Sequence, residues 1–158
     1  MEFKKIIEEK SKESWEIYMP SISIDCVVFG FHDGALKVLV QQMKEKQLLG
    51  LPGGYIKKRE NLNEAASRIL KSRTGAENIY LSQFSTFGDL DRSESFFKEY
   101  SDTLWNKQRF VSVGFYALVD YSKVNLVIDE VFDPCEWMPI EELTEFMMDH
   151  QIIFDKAL

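Results

Sequence analysis

The chain has 158 residues, 45% of them hydrophobic, which is enough for the core of one domain and too few for two domains of ordinary size. Its formal net charge of −7 argues against a nucleic-acid-binding surface, because phosphate binding needs clustered Lys and Arg. The N-terminus lacks a signal-peptide core, and no run approaches the roughly 18 apolar residues of a transmembrane helix, so we expect a cytoplasmic protein without membrane contact.

The first element along the chain is an amphipathic helix. Phe3, Ile6 and Ile7 lie at helical spacing among charged residues, which is typical of a short helix with one apolar face. We expect this N-terminal extension, residues 1–17, to pack on the body of the protein or on a dimer partner. The remainder, residues 18–158, is expected to form one domain, because no linker, repeat or low-complexity tract divides it.

Strands follow the N-terminal helix. β-Branched and aromatic residues run nearly unbroken through the first, and an Asp33-Gly34 turn connects it to the second, so the two are predicted to form a hairpin. The predicted strands cover residues 21–31, 35–43, 79–87, 109–120 and 134–139. Cys26 and Cys135 lie in apolar runs without metal-ligand spacing, so we expect small core residues in a reducing compartment.

Two further helices are predicted. Asn61 stands at an N-cap position, Glu64 follows three residues later as in a capping box, and Gly75 ends the segment as a C′ glycine, so residues 62–74 are predicted to be helical. Near the C-terminus, apolar residues at helical spacing predict another helix over 140–149. Interleaved helices and strands indicate a mixed α/β (α+β) fold class.

A glycine-rich loop and the capped helix after it carry a motif. Gly54 is followed after five residues by Glu60 and after seven more by Arg68, and Gly75 closes the pattern. This spacing resembles the Nudix box, Gly-x5-Glu-x7-Arg-Glu-U-x-Glu-Glu-x-Gly-U, in which U is aliphatic. The resemblance implies the Nudix fold, a mixed β-sheet sandwiched between helices. It also implies structural roles for Gly53, Gly54, Glu60, Arg68 and Gly75. In such boxes an ion pair between Glu60 and Arg68 holds the loop against the helix. The alternative for this pair is contact with a ligand.

The chain departs from the box at its three glutamates. Those positions hold Ile69, Ser72 and Arg73. Positions i, i+3 and i+4 of a helix share one face, and three carboxylates there supply the oxygen ligands that Mg²⁺ requires. We therefore expect a chain without catalytic residues, metal or cofactor, with Mg²⁺ needed only if the chain is a hydrolase. Arg73 is expected either to lie on a solvated face or to hold an anionic or polyhydroxyl ligand.

Three further stretches of the sequence narrow the resemblance to one group of Nudix proteins. Residues 87–92 (FGDLDR), residues 109–120 (RFVSVGFYALVD) and the closing DHQIIFDKAL resemble the effector-binding domains of Nudix-related transcriptional regulators, of the NAD-metabolism or arabinose-regulator type. The resemblance implies a homodimeric sensor of a small-molecule effector, either a sugar such as L-arabinose or a sugar nucleotide such as ADP-ribose. In those regulators a winged helix-turn-helix follows, so DNA contact is expected only through a C-terminal domain outside this chain.

Four residues around these blocks are candidates for ligand contact. Asp89, Asp91, Arg92 and Arg109 lie beside predicted strand ends, and short carboxylates next to guanidinium donors suit the hydroxyls of a sugar. The alternative is a turn stabilised by Asp and a surface ion pair. His150 is expected to be a packing residue at a helix end.

Residues 93–108, called the insert below, separate these candidates and are a departure from the regulators. Its apolar residues, at near-helical spacing, predict a short helix with one apolar face. We expect this helix to pack on the body or on a dimer mate. The alternative is a lid over the pocket, in which Trp105 stacks on a sugar ring.

Two rival functions stay open. A Mg²⁺-dependent Nudix hydrolase of a nucleoside diphosphate derivative would need metal ligands from outside the helix, and the acids nearby in sequence are Asp89, Asp91, Glu94 and Glu99. A scaffold whose pocket is closed by Ile69 and its apolar neighbours is the other rival. Mg²⁺ dependence of ligand binding separates hydrolase from sensor, and a ligand screen without hits would favour the scaffold.

Overall fold

A computed structural model of the chain describes residues 2–43, 45–126 and 134–158. Its helices are α1 (Glu2–Ile17), α2 (Leu62–Thr74) and α3 (His150–Ala157). Its strands are β1 (Tyr18–His32), β2 (Ala35–Gln42), β3 (Leu49–Gly50), β4 (Gly53–Lys57), β5 (Leu81–Phe87), β6 (Val111–Val119) and β7 (Glu136–Pro139). Short 3-10 turns cover Trp105–Lys107, Tyr121–Lys123 and Ile140–Glu142.

The strands form one mixed sheet. The main path runs β3-β2-β1-β6-β5, with β4 paired to β1 and β7 paired to β2. The β1–β6 pair is parallel, from Ile22 opposite Val111 to Gly30 opposite Val119, and the other pairs are antiparallel. The predicted hairpin is present as β1 and β2, and the predicted mixed sheet is confirmed.

Side-chain alternation along β1 builds a core on each face of the sheet. Ile24, Cys26 and Val28 are fully buried in a cluster with the apolar stripe of α2. Val27 and Phe29, which point to the opposite face, pack in a second cluster with Ile153 and Phe154 of α3. The sheet is therefore sandwiched between α2 and α3, as the resemblance implied.

The capped helix forms as predicted. The Asn61 side chain accepts from the Glu64 N–H at 2.9 Å, and the Glu64 carboxylate accepts from the Asn61 N–H at 3.1 Å, which completes a capping box. Gly75 ends the helix in the left-handed region, at φ 67°, and its N–H donates to the Lys71 carbonyl. Local sequence signals are sufficient for this element because both ends are satisfied within the segment itself.

Helix α1 packs on the body of the protein, one of the two roles expected for it. Phe3 and Ile7 are buried against Met43 of the loop after β2 and against Phe97 and Leu104 of the insert. The N-terminal extension is thus joined to the insert through a third apolar cluster. Within the described ranges, no helix has the length and apolar character needed to cross a membrane.

The predicted helix over 140–149 is wrong. Only the 3-10 turn at Ile140–Glu142 forms there, and α3 begins at His150. The Leu49 N–H donates to the Glu145 carbonyl at 2.9 Å, and the Met147 N–H donates to the Leu49 carbonyl at 2.8 Å. These bonds hold the segment extended beside β3. Its backbone groups therefore bond to β3 and do not form the helix that the apolar spacing predicted.

The predicted helix in the insert is also wrong. Residues 93–101 follow a series of turns, and the 3-10 turn at Trp105–Lys107 comes after them. The apolar residues of the insert still pack on one side, against α1, because turns can place them there without a regular helix. β3 and β4 are absent from the predicted strands, since a short glycine-rich stretch carries no alternation.

We predict that Gly75→Ala lowers the free energy of unfolding by about 1 to 2 kcal/mol, because an L side chain is strained at this positive φ. An added Cβ would also lie 3.1 Å from the Asn125 carbonyl oxygen. Urea denaturation checks this value. Gly88→Ala is the matched control, because a Cβ there meets Val111 methyls at ordinary contact distances of 3.6 and 3.7 Å. Equal losses of unfolding free energy in both variants would contradict the role of Gly75 as a left-handed helix cap.

Candidate functional site

A pocket of about 400 Å³ lies at one end of the sheet. Its walls come from α1, the start of β1, the loop and strand at residues 51–55, α2, the insert and the segment before α3. The volume falls within the roughly 300–1,000 Å³ typical of small-molecule sites. A pocket with walls from so many separate segments can contact a ligand on several sides.

Residues 51–55, called the glycine loop below, and α2 form one wall of the pocket. Gly54 lies so close to α2 that an added Cβ would be 3.0 Å from the Cγ1 and Cδ1 atoms of Ile69. At Gly53 an added Cβ would be 2.6 Å from the Asp25 carboxylate and 2.7 Å from the Ile24 carbonyl. Gly53 therefore needs glycine for close packing, and a side chain at Gly54 would require Ile69 to shift.

The face of α2 toward the pocket carries the three residues that replace glutamates of the box. Ile69 is buried, and Ser72 donates its hydroxyl proton to the Ile69 carbonyl at 2.7 Å. Arg73 is half-buried and lines the pocket. An aliphatic group, a hydroxyl and a cation do not fit Mg²⁺, which takes anionic and carbonyl oxygens. Across residues 2–43, 45–126 and 134–158, no group of three His, Cys, Asp or Glu side chains is placed to hold a metal ion.

The predicted ion pair between Glu60 and Arg68 is present. Arg68 Nε and Nη2 donate to the two Glu60 oxygens at 2.6 and 2.8 Å, and Nη2 also donates to the Tyr55 carbonyl at 2.6 Å. The hydrogen bonds from Arg68 hold the pKa of Glu60 below its ordinary value, and the Lys57 N–H adds to this effect. The pair fixes β4 and the following loop against α2.

A buried ion pair lies deeper, at the end of the pocket nearest α3. Arg92 is 6% exposed, and its Nε and Nη2 donate to the Asp149 carboxylate at 2.5 and 2.8 Å. Its Nη1 donates to the Phe110 carbonyl at 3.2 Å, and its Nη2 lies 3.6 Å from Asp25 Oδ2. Arg92, a candidate for ligand contact, thus lines the pocket while it holds the start of α3.

Asp25 and His150 complete this buried cluster. The Ser112 hydroxyl donates to Asp25 Oδ2 at 2.5 Å, and His150 Nε2 lies 3.5 Å from Asp25 Oδ1. His150 Nδ1 accepts from the Leu51 N–H at 2.9 Å, so the neutral ring carries its proton on the nitrogen facing Asp25. Sequence reasoning missed Asp25; the available signal was a single acid inside an otherwise apolar strand.

The pocket lining also contains aromatic and polar side chains that the sequence did not single out. Tyr55 lies beside Tyr18, with ring centroids 5.7 Å apart, and its hydroxyl accepts from Asn106 Nδ2 at 3.3 Å. Lys10 and Ser14 of α1 also line the pocket. Burial raises the pKa of the Tyr55 hydroxyl well above its ordinary range, and the Asp25 charge adds to this effect.

The remaining sequence candidates are not brought into this pocket. Arg109 donates to the Gly88 and Asp89 carbonyls at 3.0 and 3.2 Å, and Asp91 accepts from the Ser95 hydroxyl and N–H. Asp89 and Asp91 border a neighbouring, more open depression, which shares Arg92 and Met148 with the pocket. Trp105 is fully buried, and its ring lies edge-on to Trp15 of α1 and to Tyr55. The structure therefore groups Arg73 and Arg92 but not Asp89, Asp91, Arg109 or Trp105.

Cationic side chains outnumber carboxylates among the described residues that line the pocket. Four cationic side chains and one carboxylate are among the described residues that line it: Lys10, Arg68, Arg73, Arg92 and Asp25. Glu60 and Asp149 form ion pairs with Arg68 and Arg92. Guanidinium and ammonium groups of this kind are the side chains that bind phosphate in proteins.

Comparisons with known proteins agree with this geometry. A family model for the NUDIX domain matches residues 19–156. The ADPR-responsive transcriptional repressor NtrR of Acinetobacter baylyi is 25% identical over 145 residues, which cover 87% of this chain and 53% of that protein. The chain therefore spans about half the length of this curated relative.

Two solved structures of relatives are similar over most of the chain. The NUDIX domain of Shewanella oneidensis NrtR, complexed with ADP-ribose, is 26% identical with a TM-score of 0.68, covering 92% of this chain and 95% of that chain. NrtR complexed with a 27mer DNA is 28% identical with a TM-score of 0.66, covering 86% of this chain and 59% of that chain.

We predict that Glu60→Gln lowers the free energy of unfolding by about 2 kcal/mol at neutral pH, because a neutral amide replaces a carboxylate bonded to Arg68. Since the folded-state pKa of Glu60 lies below its ordinary value of 4.5, its stabilising effect is present above that value and is lost as the pH falls through the folded-state pKa. The difference between wild type and variant should therefore shrink in acid, as urea denaturation over a pH series can measure. Glu77→Gln, which breaks an exposed pair with Lys71, should show little difference at any pH.

We predict that Asp149→Asn lowers the free energy of unfolding by about 3 kcal/mol, because it leaves the buried Arg92 guanidinium without its principal counter-charge. Chemical denaturation measures the loss. Asp155→Asn on the exposed side of α3 is the control and should change stability little. Similar values for the two variants would show that the buried pair contributes no more than a surface contact.

Proposed function

The chain belongs to the NUDIX domain family and is related to Nudix transcriptional regulators, and from this premise we propose that it is a non-catalytic effector-binding domain. The proposed effector is a sugar nucleotide of the ADP-ribose type, bound in the pocket without metal. The observation that carries the proposal is the pocket face of α2, where Ile69, Ser72 and Arg73 stand in place of the metal-binding carboxylates.

The lack of carboxylates removes the main means of catalysis for this family. Hydrolysis of a diphosphate with Mg²⁺ uses the metal to polarise the phosphate and to activate water, effects worth several kcal/mol of transition-state stabilisation. The donor set on α2 does not fit that metal. Asp91 and Glu94, acids considered for an alternative site, accept hydrogen bonds from Ser95 and Ser93 within their own turn. Binding without turnover is therefore the function that this site supports best.

The cationic side chains that line the pocket favour a phosphate-containing ligand over a free sugar. Arg73 presents a fork of N–H donors that suits phosphate oxygens, and Lys10 contributes a second cation to the same pocket. A neutral pentose such as L-arabinose has no need of these charges. The two relatives described by name respond to or bind ADP-ribose, which supports the same choice.

We further propose that the domain acts in a regulator that contacts DNA through a separate C-terminal domain and forms a homodimer. A relative solved in complex with DNA, 59% of whose chain is covered by this one, supports the proposal that the domain acts in a DNA-contacting regulator. A ligand can shift such a regulator only by binding one domain arrangement more tightly than another. Arg92 connects the pocket to the start of α3 through Asp149, so ligand contacts near Arg92 have a direct route to the C-terminal helix.

We predict that ADP-ribose raises the thermal unfolding temperature of the domain equally with Mg²⁺ and with a chelator, because a ligand that binds only the folded state stabilises it. Arg73→Ala should weaken ADP-ribose binding at least about tenfold, or roughly 1.4 kcal/mol. Isothermal titration calorimetry gives the affinity, and chromatography of the mixture shows whether ADP-ribose is cleaved.

The control is Arg59→Ala, which removes an exposed guanidinium from the loop before α2. It should bind ADP-ribose as wild type does. Stabilisation that requires Mg²⁺, together with formation of AMP and ribose 5-phosphate, would make the chain a hydrolase. Stabilisation by a pentose alone would make it a sugar sensor, and no stabilisation by any of these ligands would favour a scaffold.

A further inference from the structure

We propose that α1 and the insert together form a subsite of the pocket for the ring-bearing part of the ligand, a ribose or a nucleobase. In this subsite Lys10, Ser14 and Asn106 supply hydrogen-bonding groups, and Tyr18 and Tyr55 supply apolar surface. The inference rests on the proposed function for the identity of the ligand. Apart from Tyr55, the residues of this subsite lie outside the Nudix box.

Direct contacts hold α1 and the insert together as one module. The backbone N–H of Trp105 donates to the buried Ser11 hydroxyl at 2.7 Å. The indole Nε1 of Trp15 donates to the Thr103 carbonyl at 3.0 Å. The rings of Trp15 and Trp105 meet edge to face with centroids 5.1 Å apart. These bonds fix the position of α1 relative to the insert, so the side chains that the two segments place in the pocket have a defined geometry.

Polar groups from the module enter the pocket. Lys10, Ser14 and Asn106 are half-buried and line it. The Ser14 hydroxyl donates to the Lys10 carbonyl at 2.9 Å, which leaves its oxygen able to accept from a ligand. Asn106 donates one amide proton to the Tyr55 hydroxyl and retains a carbonyl oxygen and a second proton. Paired donors and acceptors of this kind match ribose hydroxyls or the edge of a base.

The apolar part of the subsite is an aromatic cluster with little freedom to move. Tyr55 has ring neighbours on several sides, Tyr18 at 5.7 Å, Trp105 at 5.4 Å and Phe110 at 5.1 Å between centroids. Trp105 is fully buried and does not line the pocket. The aromatic residues that line the pocket here are Tyr18, Tyr55 and Phe110. Such a rigid surface can pack against a sugar or base ring at low entropic cost.

The position of the module relative to α2 divides the pocket by chemistry. The wall from α2 contributes Arg73, a phosphate-binding type of side chain, whereas α1 and the insert contribute Lys10, Ser14 and Asn106, and Tyr18 of β1 and Tyr55 of β4 line the same pocket. A nucleotide has the same division between its phosphates and its rings. The two walls thus fit the two ends of one ligand.

The test compares Lys10→Met and Asn106→Ala with wild type in calorimetric titrations with ADP-ribose. Both variants should lose at least about tenfold in affinity, while Lys10→Arg should retain most of it because the donor and charge remain. Lys12→Met, which changes an exposed lysine of the same helix, and Asn63→Ala, which changes an exposed asparagine of α2, are the matched controls. Circular dichroism and thermal unfolding of each variant without ligand establish that α1 is still docked.

Titrations with AMP and with ribose 5-phosphate distinguish the two kinds of ring. A loss of affinity in Asn106→Ala for AMP alone assigns the subsite to the base, and a loss for both assigns it to ribose; either result supports the proposal. Wild-type affinity for ADP-ribose in folded Lys10→Met and Asn106→Ala would overturn it and leave the proposed function intact. Failure of wild type to bind ADP-ribose would instead reject the proposed function, and this inference with it.

Discussion

The central strand β1 is the constraint on which the rest of the structure depends. It pairs with β2, β4 and β6, so most of the sheet is built on its two edges. Its alternating side chains bury one set of residues under α2 and the other under α3. Asp25 interrupts this apolar run, and a buried carboxylate is costly unless it is paired and hydrogen-bonded. Ser112, Arg92 and His150 converge on it, which brings three distant segments together at the pocket.

Helix α2 retains the architecture of the Nudix box while its chemistry has changed. The capping box, the C-terminal glycine and the bond from Arg68 to Glu60 all hold the loop and helix in place without any metal. Ile69 then fills the space beside Gly54 with hydrocarbon. Because these contacts do not involve the three positions that hold carboxylates in the Nudix box, the loop, the helix and the pocket beside them form without those carboxylates.

The buried cluster around Asp25 also connects parts of the molecule that have different roles. Arg92 lines the pocket and holds Asp149 at the start of α3, while His150 accepts a hydrogen bond from Leu51 beside the glycine loop. A displacement of any one of these groups would leave a buried charge or polar atom without its partner, which is energetically costly. The segment at Leu51, the segment at Arg92 and the start of α3 are therefore held together by this cluster.

The sequence by itself determined the elements whose signals are local. The hairpin follows from β-branched runs around an Asp-Gly turn, and α2 follows from a cap and a glycine that satisfy its own ends. The spacing of Glu60 and Arg68 predicted their ion pair, and the residues at 69, 72 and 73 revealed the loss of the carboxylates. Each of these depends on residues within about one helix length of one another, so pattern reasoning can reach them.

Tertiary structure alone decided the rest, because the deciding contacts join residues far apart in the chain. The segment before α3 has helical spacing, yet its backbone bonds to Leu49 and stays extended. Leu51 and His150 are 99 positions apart, and Arg92 and Asp149 are 57 apart, so neither contact leaves a spacing that can be read. The role of α1 as a pocket wall arises in the same way, since Lys10, Asn106 and Tyr55 line one pocket only after the fold has brought the N-terminal helix and the insert together.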